Sequence, residues 1–130
     1  MPITRKKIIG NRGEECSAKF LKKNKYKIIC KNFSNKHGEI DIICENKEYI
    51  VFVEVKTRSN DGFTSGVYAV NKKKQHNIIK TAYTYLKDHP SNKQPRFDII
   101  EIEHNKGDGT FQVKEHYVNA FIQGGDYGVF

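Results

Sequence analysis

A chain of 130 residues and 15.0 kDa supports one domain with one modest core and leaves no room for a second. Hydrophobic residues make up only 37%, but 12% aromatic content argues against a disordered chain. The 23 Lys and Arg outnumber the 15 Asp and Glu, and the resulting charge of +8 points to a polyanionic partner such as nucleic acid.

The first residues, Met1 to Gly10, are basic, and their apolar run is only Ile8-Ile9. That is too short for a signal peptide or a membrane span, so the expected address is the cytoplasm, with no membrane partner. From about Gly10 to Lys25 the spacing predicts a helix, with Asn11 as N-cap and Glu14-Glu15 near the first turn. Ile9, Cys16, Phe20 and Leu21 supply its apolar stripe, and Glu15 lies beside that stripe. Cys16, Cys30 and Cys44 are odd in number and lack Cys-x-x-Cys spacing, which fits neither a disulfide scaffold nor a zinc site. They read as buried thiols. A first strand runs from Tyr26 to Phe33, and a polar turn follows, Ser34-Asn35-Lys36-His37-Gly38. His37 there is a candidate general base by its position and an ordinary surface histidine by its type.

Gly38-Glu39-Ile40-Asp41-Ile42-Ile43 and Val51-Phe52-Val53-Glu54-Val55-Lys56 then read as a hairpin joined by Glu45-Asn46-Lys47-Glu48. A turn centred on Asn46-Lys47 places Asp41 opposite Phe52 and Glu39 opposite Glu54. Side chains alternate along strands, so Ile40, Ile42, Val51, Val53 and Val55 form one apolar face. The other face carries Asp41, Glu54 and Lys56 amid Ile43, Ile50 and Phe52. Charges partly removed from water are costly unless paired or metal-bound. Converging carboxylates with a lysine suit Mg²⁺, which keeps several waters and takes one or two carboxylates. The lysine is placed to stabilise phosphoryl charge or position a water. The competing explanation is a solvent-facing Glu-x-Lys pair on a half-exposed strand.

After Lys56 a loop is expected over Thr57 to Gly66, with Arg58 as its candidate phosphate contact. A second helix spans Asn71 to about His89, capped by Asn71 and stopped by Pro90, with Ile78, Ile79, Ala82, Tyr85 and Leu86 buried. Its first turn holds Lys72, Lys73 and Lys74, which oppose the helix dipole unless a phosphate binds there. Arg96 to Glu103 alternates as a fourth strand, and Gly107-Asp108-Gly109 turns the chain into an outer strand over Phe111 to Lys114. Residues 1–121 form the expected domain, and 122–130 a glycine-rich tail.

Gly38-Glu39-Ile40-Asp41, Val51 to Arg58, and Arg96-Phe97-Asp98 together resemble the YraN family of small bacterial proteins, over about Gly10 to Phe121. That family in turn resembles restriction-endonuclease-like nucleases, whose signature is an Asp followed by Glu/Asp-x-Lys. The resemblance implies an α/β fold with a mixed sheet of four to five strands flanked by helices. It also implies Mg²⁺-dependent (or Mn²⁺-dependent) hydrolysis of DNA phosphodiesters, including branched or structured DNA. Asp41 and Glu54 would be metal ligands, with Glu15 on the first helix as a third. Lys56 would be catalytic, Gln75 would complete the site, and Arg58, Lys72, Lys73 and Lys74 would contact the nucleic acid. The alternative is a non-catalytic nucleic-acid-binding module on the same fold. An adaptor for a protein partner has only the aromatic tail in its favour. The oligomeric state stays open, a homodimer included.

Overall fold

The computed structural model describes residues 3–60 and 71–121, so the loop expected over Thr57 to Gly66 lies largely outside the described residues, and the 122–130 tail wholly so. In chain order the elements are α1 (Arg5–Lys23), β1 (Lys27–Asn35), β2 (Gly38–Glu45), β3 (Tyr49–Ser59), α2 (Lys72–Asp88), β4 (Gln94–His104) and β5 (Phe111–Tyr117). The five strands form one mixed sheet in sequential order. Neighbours are antiparallel except β3 and β4, which run parallel because α2 carries the chain back across the sheet. This is the mixed α/β sheet flanked by helices that the sequence predicts.

α1 starts earlier than expected. Thr4, not Asn11, is the N-cap, and its hydroxyl accepts from the Lys7 N–H at 3.1 Å. Arg5-Lys6-Lys7 are good helix formers, so nothing delays the helix to Gly10. α2 follows its prediction, with the Asn71 side chain accepting from the Lys74 N–H at 2.9 Å.

The two helices cover opposite faces of the sheet. Ala18 and Leu21 of α1 pack on Ile42, Cys44, Val51, Val53, Ile100 and Ile102 of the sheet. Ile78, Ile79, Ala82 and Tyr85 of α2 share the other cluster with Ile40, Ile43, Ile50, Phe52, Phe97, Ile99 and Phe121. Phe52, Phe97 and Phe121 stack in a row, with centroids 5.6 and 5.4 Å apart. Among the described residues no helix is long and apolar enough to cross a membrane.

The hairpin register is slipped by two residues from the predicted one. Ile43, not Asp41, pairs with Phe52, and Glu45 pairs with Ile50. The Asn46 side chain sets this by accepting from the N–H groups of Glu48 and Tyr49 at 3.0 and 2.8 Å, which centres the turn one residue later. A slip of two leaves side-chain facing unchanged, so Asp41, Glu54 and Lys56 keep a common side. Glu39 is not opposite Glu54, although it lines a smaller cavity with Asp41, Glu54 and Lys74. It pairs across to Ser34 and is exposed. Ile40 also departs from its predicted face and packs beneath α2. The β2–β3 ladder ends at Ile42–Val53, so strict alternation is not enforced beyond it.

Close approach of α1 to β3 depends on Gly13. A Cβ there would lie 1.9 Å from the Thr57 hydroxyl oxygen and 3.2 Å from Thr57 Cβ. Gly13→Ala gains about 0.5–1 kcal/mol of helix propensity, whereas overpacking costs about 1–3 kcal/mol. The expected outcome in a thermal melt is a lower Tm, and a higher one would show that the helix–strand spacing is not set by this contact.

Candidate active site

Where β2 parts from β3, a cleft of about 700 Å³ opens between the N-terminal parts of the two helices. The Val55 N–H, left without a partner strand on that side, donates to Asp41 Oδ2 at 2.8 Å. One step beyond the last ladder pair, Asp41 therefore faces Glu54, and their carboxyls share a hydrogen bond. Glu54 is 6% exposed. Lys74 Nζ lies 2.8 Å from Glu54 Oε2. That oxygen lacks a well-directed hydrogen bond, so the contact is an ion pair held by charge.

Burial, the bond to Glu54 and the Glu54 charge push the Asp41 carboxyl up to about 9. Burial also acts to raise Glu54, but the bond from Asp41 and the Lys74 ammonium outweigh it and hold Glu54 below its ordinary value. The pair thus shares one proton. The two lysines diverge. Burial and the neighbouring Lys74 ammonium lower Lys56, against the pull of Glu54. Burial opposes the charge on Lys74 as well, yet Glu54 keeps Lys74 above its ordinary value.

The helix-borne acid at this cleft is Glu14. Glu15, the predicted third ligand, is exposed and outside the lining, whereas Glu14 lines the cleft with Asp41 and Glu54. Burial raises the Glu14 carboxyl, against a hydrogen bond with Asn32. The predicted apolar stripe turns Cys16 and Phe20 inward, but both are only half-buried, and the face against the sheet is Gly13, Ser17, Ala18 and Leu21. Glu14 stands one and two turns before Ala18 and Leu21 on that face. Small residues mark the helix's close approach, and a hydrophobicity stripe overlooks them.

Lys56 and Lys74 both line the cleft, and Lys72 and Lys73 are exposed beside them in the first turn of α2. Gln75 is not among its lining residues. Arg58 belongs to β3 rather than to a loop, with its Nε 3.4 Å from Glu101 Oε2. His37 lies in the β1–β2 turn, away from the lining, and its N–H donates to Asn35 Oδ1 at 2.9 Å. Arg96 and Asp98 lie on the other face. Arg96 Nε and Nη2 donate to Asp98 at 3.0 and 2.8 Å beneath α1, beside Tyr26 and His116.

A profile described as "Uncharacterised protein family UPF0102" matches residues 13–102. The chain belongs to the UPF0102 family. This bears out the YraN resemblance, and the matched span holds Glu14, Asp41, Glu54, Lys56 and Lys74. A UPF0102 protein of Caldanaerobacter subterraneus is 44% identical over 122 residues, covering 93% of this chain and all of its own. One from Acetivibrio thermocellus is 43% identical over 112 residues, covering 85% of this chain and 86% of its own. A third, from Clostridium beijerinckii, is 40% identical over 116 residues, covering 88% and 94%.

The chemistry of the donor set decides which cation would fit. Among the described residues no three His, Cys, Asp or Glu side chains converge into a closed cage. One buried and one half-buried carboxylate with an open cleft beside them do not suit zinc or an all-protein calcium site. They do suit Mg²⁺ or Mn²⁺, which take few carboxylates and keep their waters.

Proposed function

We propose that this protein is a metal-dependent nuclease with a restriction-endonuclease-like core, hydrolysing phosphodiester bonds in DNA. The observation that carries this reading is the hydrogen-bonded pair of half-buried Asp41 and buried Glu54, with Lys56 beside it in one open cleft. Asp41 and Glu54 would hold Mg²⁺ or Mn²⁺, which when bound supplies Lewis-acid polarisation of the phosphate and acidifies a water. Glu14 would accept a hydrogen bond from water in that shell. Lys56, its proton loosened by burial and by Lys74, would orient the attacking water and accept charge as it develops at phosphorus. Lys74, which Glu54 holds firmly protonated, would stay a cation and turn to a substrate phosphate once a metal neutralises Glu54.

The test is cleavage of linear, nicked and four-way-junction DNA in Mg²⁺, in Mn²⁺ and in EDTA. Preference for the junction would identify branched DNA as substrate. Binding without cleavage of any form, in either metal, would replace the nuclease by a binding module.

Metal binding is checked separately. Asp41→Asn removes one ligand charge at nearly constant size and is expected to weaken Mn²⁺ by at least tenfold in calorimetric titration. Equal affinity would place the metal elsewhere. The pH dependence has a definite sign. A raised Asp41 value means that the metal-free folded state holds a proton the unfolded chain releases. Its contribution to stability is therefore full below the ordinary Asp range and lost as pH rises towards about 9. Mg²⁺ displaces that proton, so the Tm gain on adding Mg²⁺ should grow from mildly acidic to mildly alkaline pH.

A further inference from the structure

The cleft is longer than the carboxylates need. From Lys74 it passes Asp41, Glu54 and Lys56 and continues along Thr57 and Ser59 to Arg5 and Lys6 of α1 and to Lys106 of the β4–β5 turn. Its acids, Glu14, Asp41 and Glu54, gather in the middle, while its far end carries cations from two separate elements. Like α2, α1 has no acidic residue in its first turn, so Arg5 and Lys6 oppose the helix dipole in the free protein. Lys106 is held in place through its backbone, whose N–H donates to Asn60 Oδ1 at 3.1 Å, while the Asn60 N–H donates to the His104 carbonyl at 3.0 Å.

Gly10 is an independent sign. It is inside α1, where glycine costs about 0.5–1 kcal/mol relative to alanine, and no contact among the described residues requires it. Among the described residues, a Cβ at Gly10 would meet nothing within 4 Å. Yet Gly10 lines the cleft between Lys6 and Glu14, where a side chain would narrow the passage from the carboxylates to the far cations.

We propose that Arg5, Lys6 and Lys106 form a second phosphate-binding arm, across the carboxylates from α2, and that the ligand is a nucleic-acid strand running through the cleft past Gly10. It rests on the nuclease reading only in laying a phosphodiester over Asp41 and Glu54. A strand gripped on both sides need not present an end, so internal positions are accessible.

The experiment measures binding of a labelled single-stranded oligonucleotide in Ca²⁺ across a salt series, so that no turnover is required. The triple variant Arg5→Ala, Lys6→Ala, Lys106→Ala should lower the salt slope by about two to three units, roughly 0.7–0.9 for each phosphate it no longer neutralises. The control Lys19→Ala, Lys22→Ala, Lys23→Ala removes equal charge from a different surface groove and should lower it by less than about one unit. Gly10→Leu should keep or raise Tm while weakening binding at least tenfold. Circular single-stranded DNA should compete as well as linear DNA of equal length.

Equal slopes for the two triple variants, full binding by Gly10→Leu, or failure of circular DNA to compete would each overturn the arm. A protein that shows the arm effects but never cleaves loses the nuclease reading and keeps this one. The reverse result does the opposite.

Discussion

Lys56→Ala should bind metal and DNA almost as the parent protein does, yet turn over more slowly by a factor on the order of 10²–10³. Its ammonium lies among Asp41, Glu54 and Lys74 and does not complete the carboxylate pair. DNA affinity changes little because only one of 23 basic residues is removed. Loss of rate with binding kept marks an interaction made chiefly in the transition state. Single-turnover cleavage in Mg²⁺, beside binding in Ca²⁺, measures both quantities. Lys56→Arg divides the role further, because arginine keeps the charge but does not release a proton at accessible pH. Rescue by arginine assigns Lys56 to charge stabilisation, and no rescue assigns it to proton handling. A Lys56→Ala protein that cuts as fast as the parent would remove Lys56 from the mechanism.

The parts of the site legible in the sequence are those set by strand alternation. Glu54 and Lys56 survive a two-residue register slip because an even slip preserves facing along the ladder. Asp41, one step beyond the ladder's end, is held toward Glu54 by the bond from the Val55 N–H. The slip itself is hidden in one side chain, since Asn46 caps the turn and moves its centre. α2 is legible because Asn71 and Pro90 bracket a clean helical stripe. α1 is less so. Its inward face is Gly13, Ser17, Ala18 and Leu21, only one of them a large apolar residue. A stripe drawn through Ile9, Cys16, Phe20 and Leu21 centres about a quarter of a turn from that face, so it does not single out Glu14. Lys106 and Arg5 are far apart in sequence, and only the parallel β3–β4 pairing brings the β4–β5 turn beside the end of β3. No local pattern announces that meeting.

Arg96-Phe97-Asp98, part of the family resemblance, works for the fold on the face away from the carboxylates. Asp98 is fully buried. It accepts from Arg96 twice, from the Asn119 N–H at 2.9 Å, and lies 2.7 Å from His116 Nε2. Arg96 in turn donates to the Tyr26 hydroxyl at 2.6 Å and sits 4.8 Å from the Tyr49 ring centroid. Asp98→Ala would leave a buried guanidinium without its counter-charge, which costs about 3–5 kcal/mol. That is a large share of a typical domain stability of about 5–15 kcal/mol. Urea unfolding should show the midpoint falling with its slope unchanged. Adding Arg96→Met to Asp98→Ala removes the stranded charge, so the double variant should be more stable than Asp98→Ala alone. Acid unfolding gives a second reading. Burial acts to raise Asp98, but the bonds from His116, Arg96 and Asn119 outweigh it and hold the carboxyl below its ordinary range. Its contribution is therefore full above the ordinary Asp value and lost as pH falls through the lower folded-state value. The double variant should be less sensitive to acid over that window than the parent. A double variant less stable than Asp98→Ala would mean that Arg96 contributes through Tyr26 and Tyr49 rather than through Asp98.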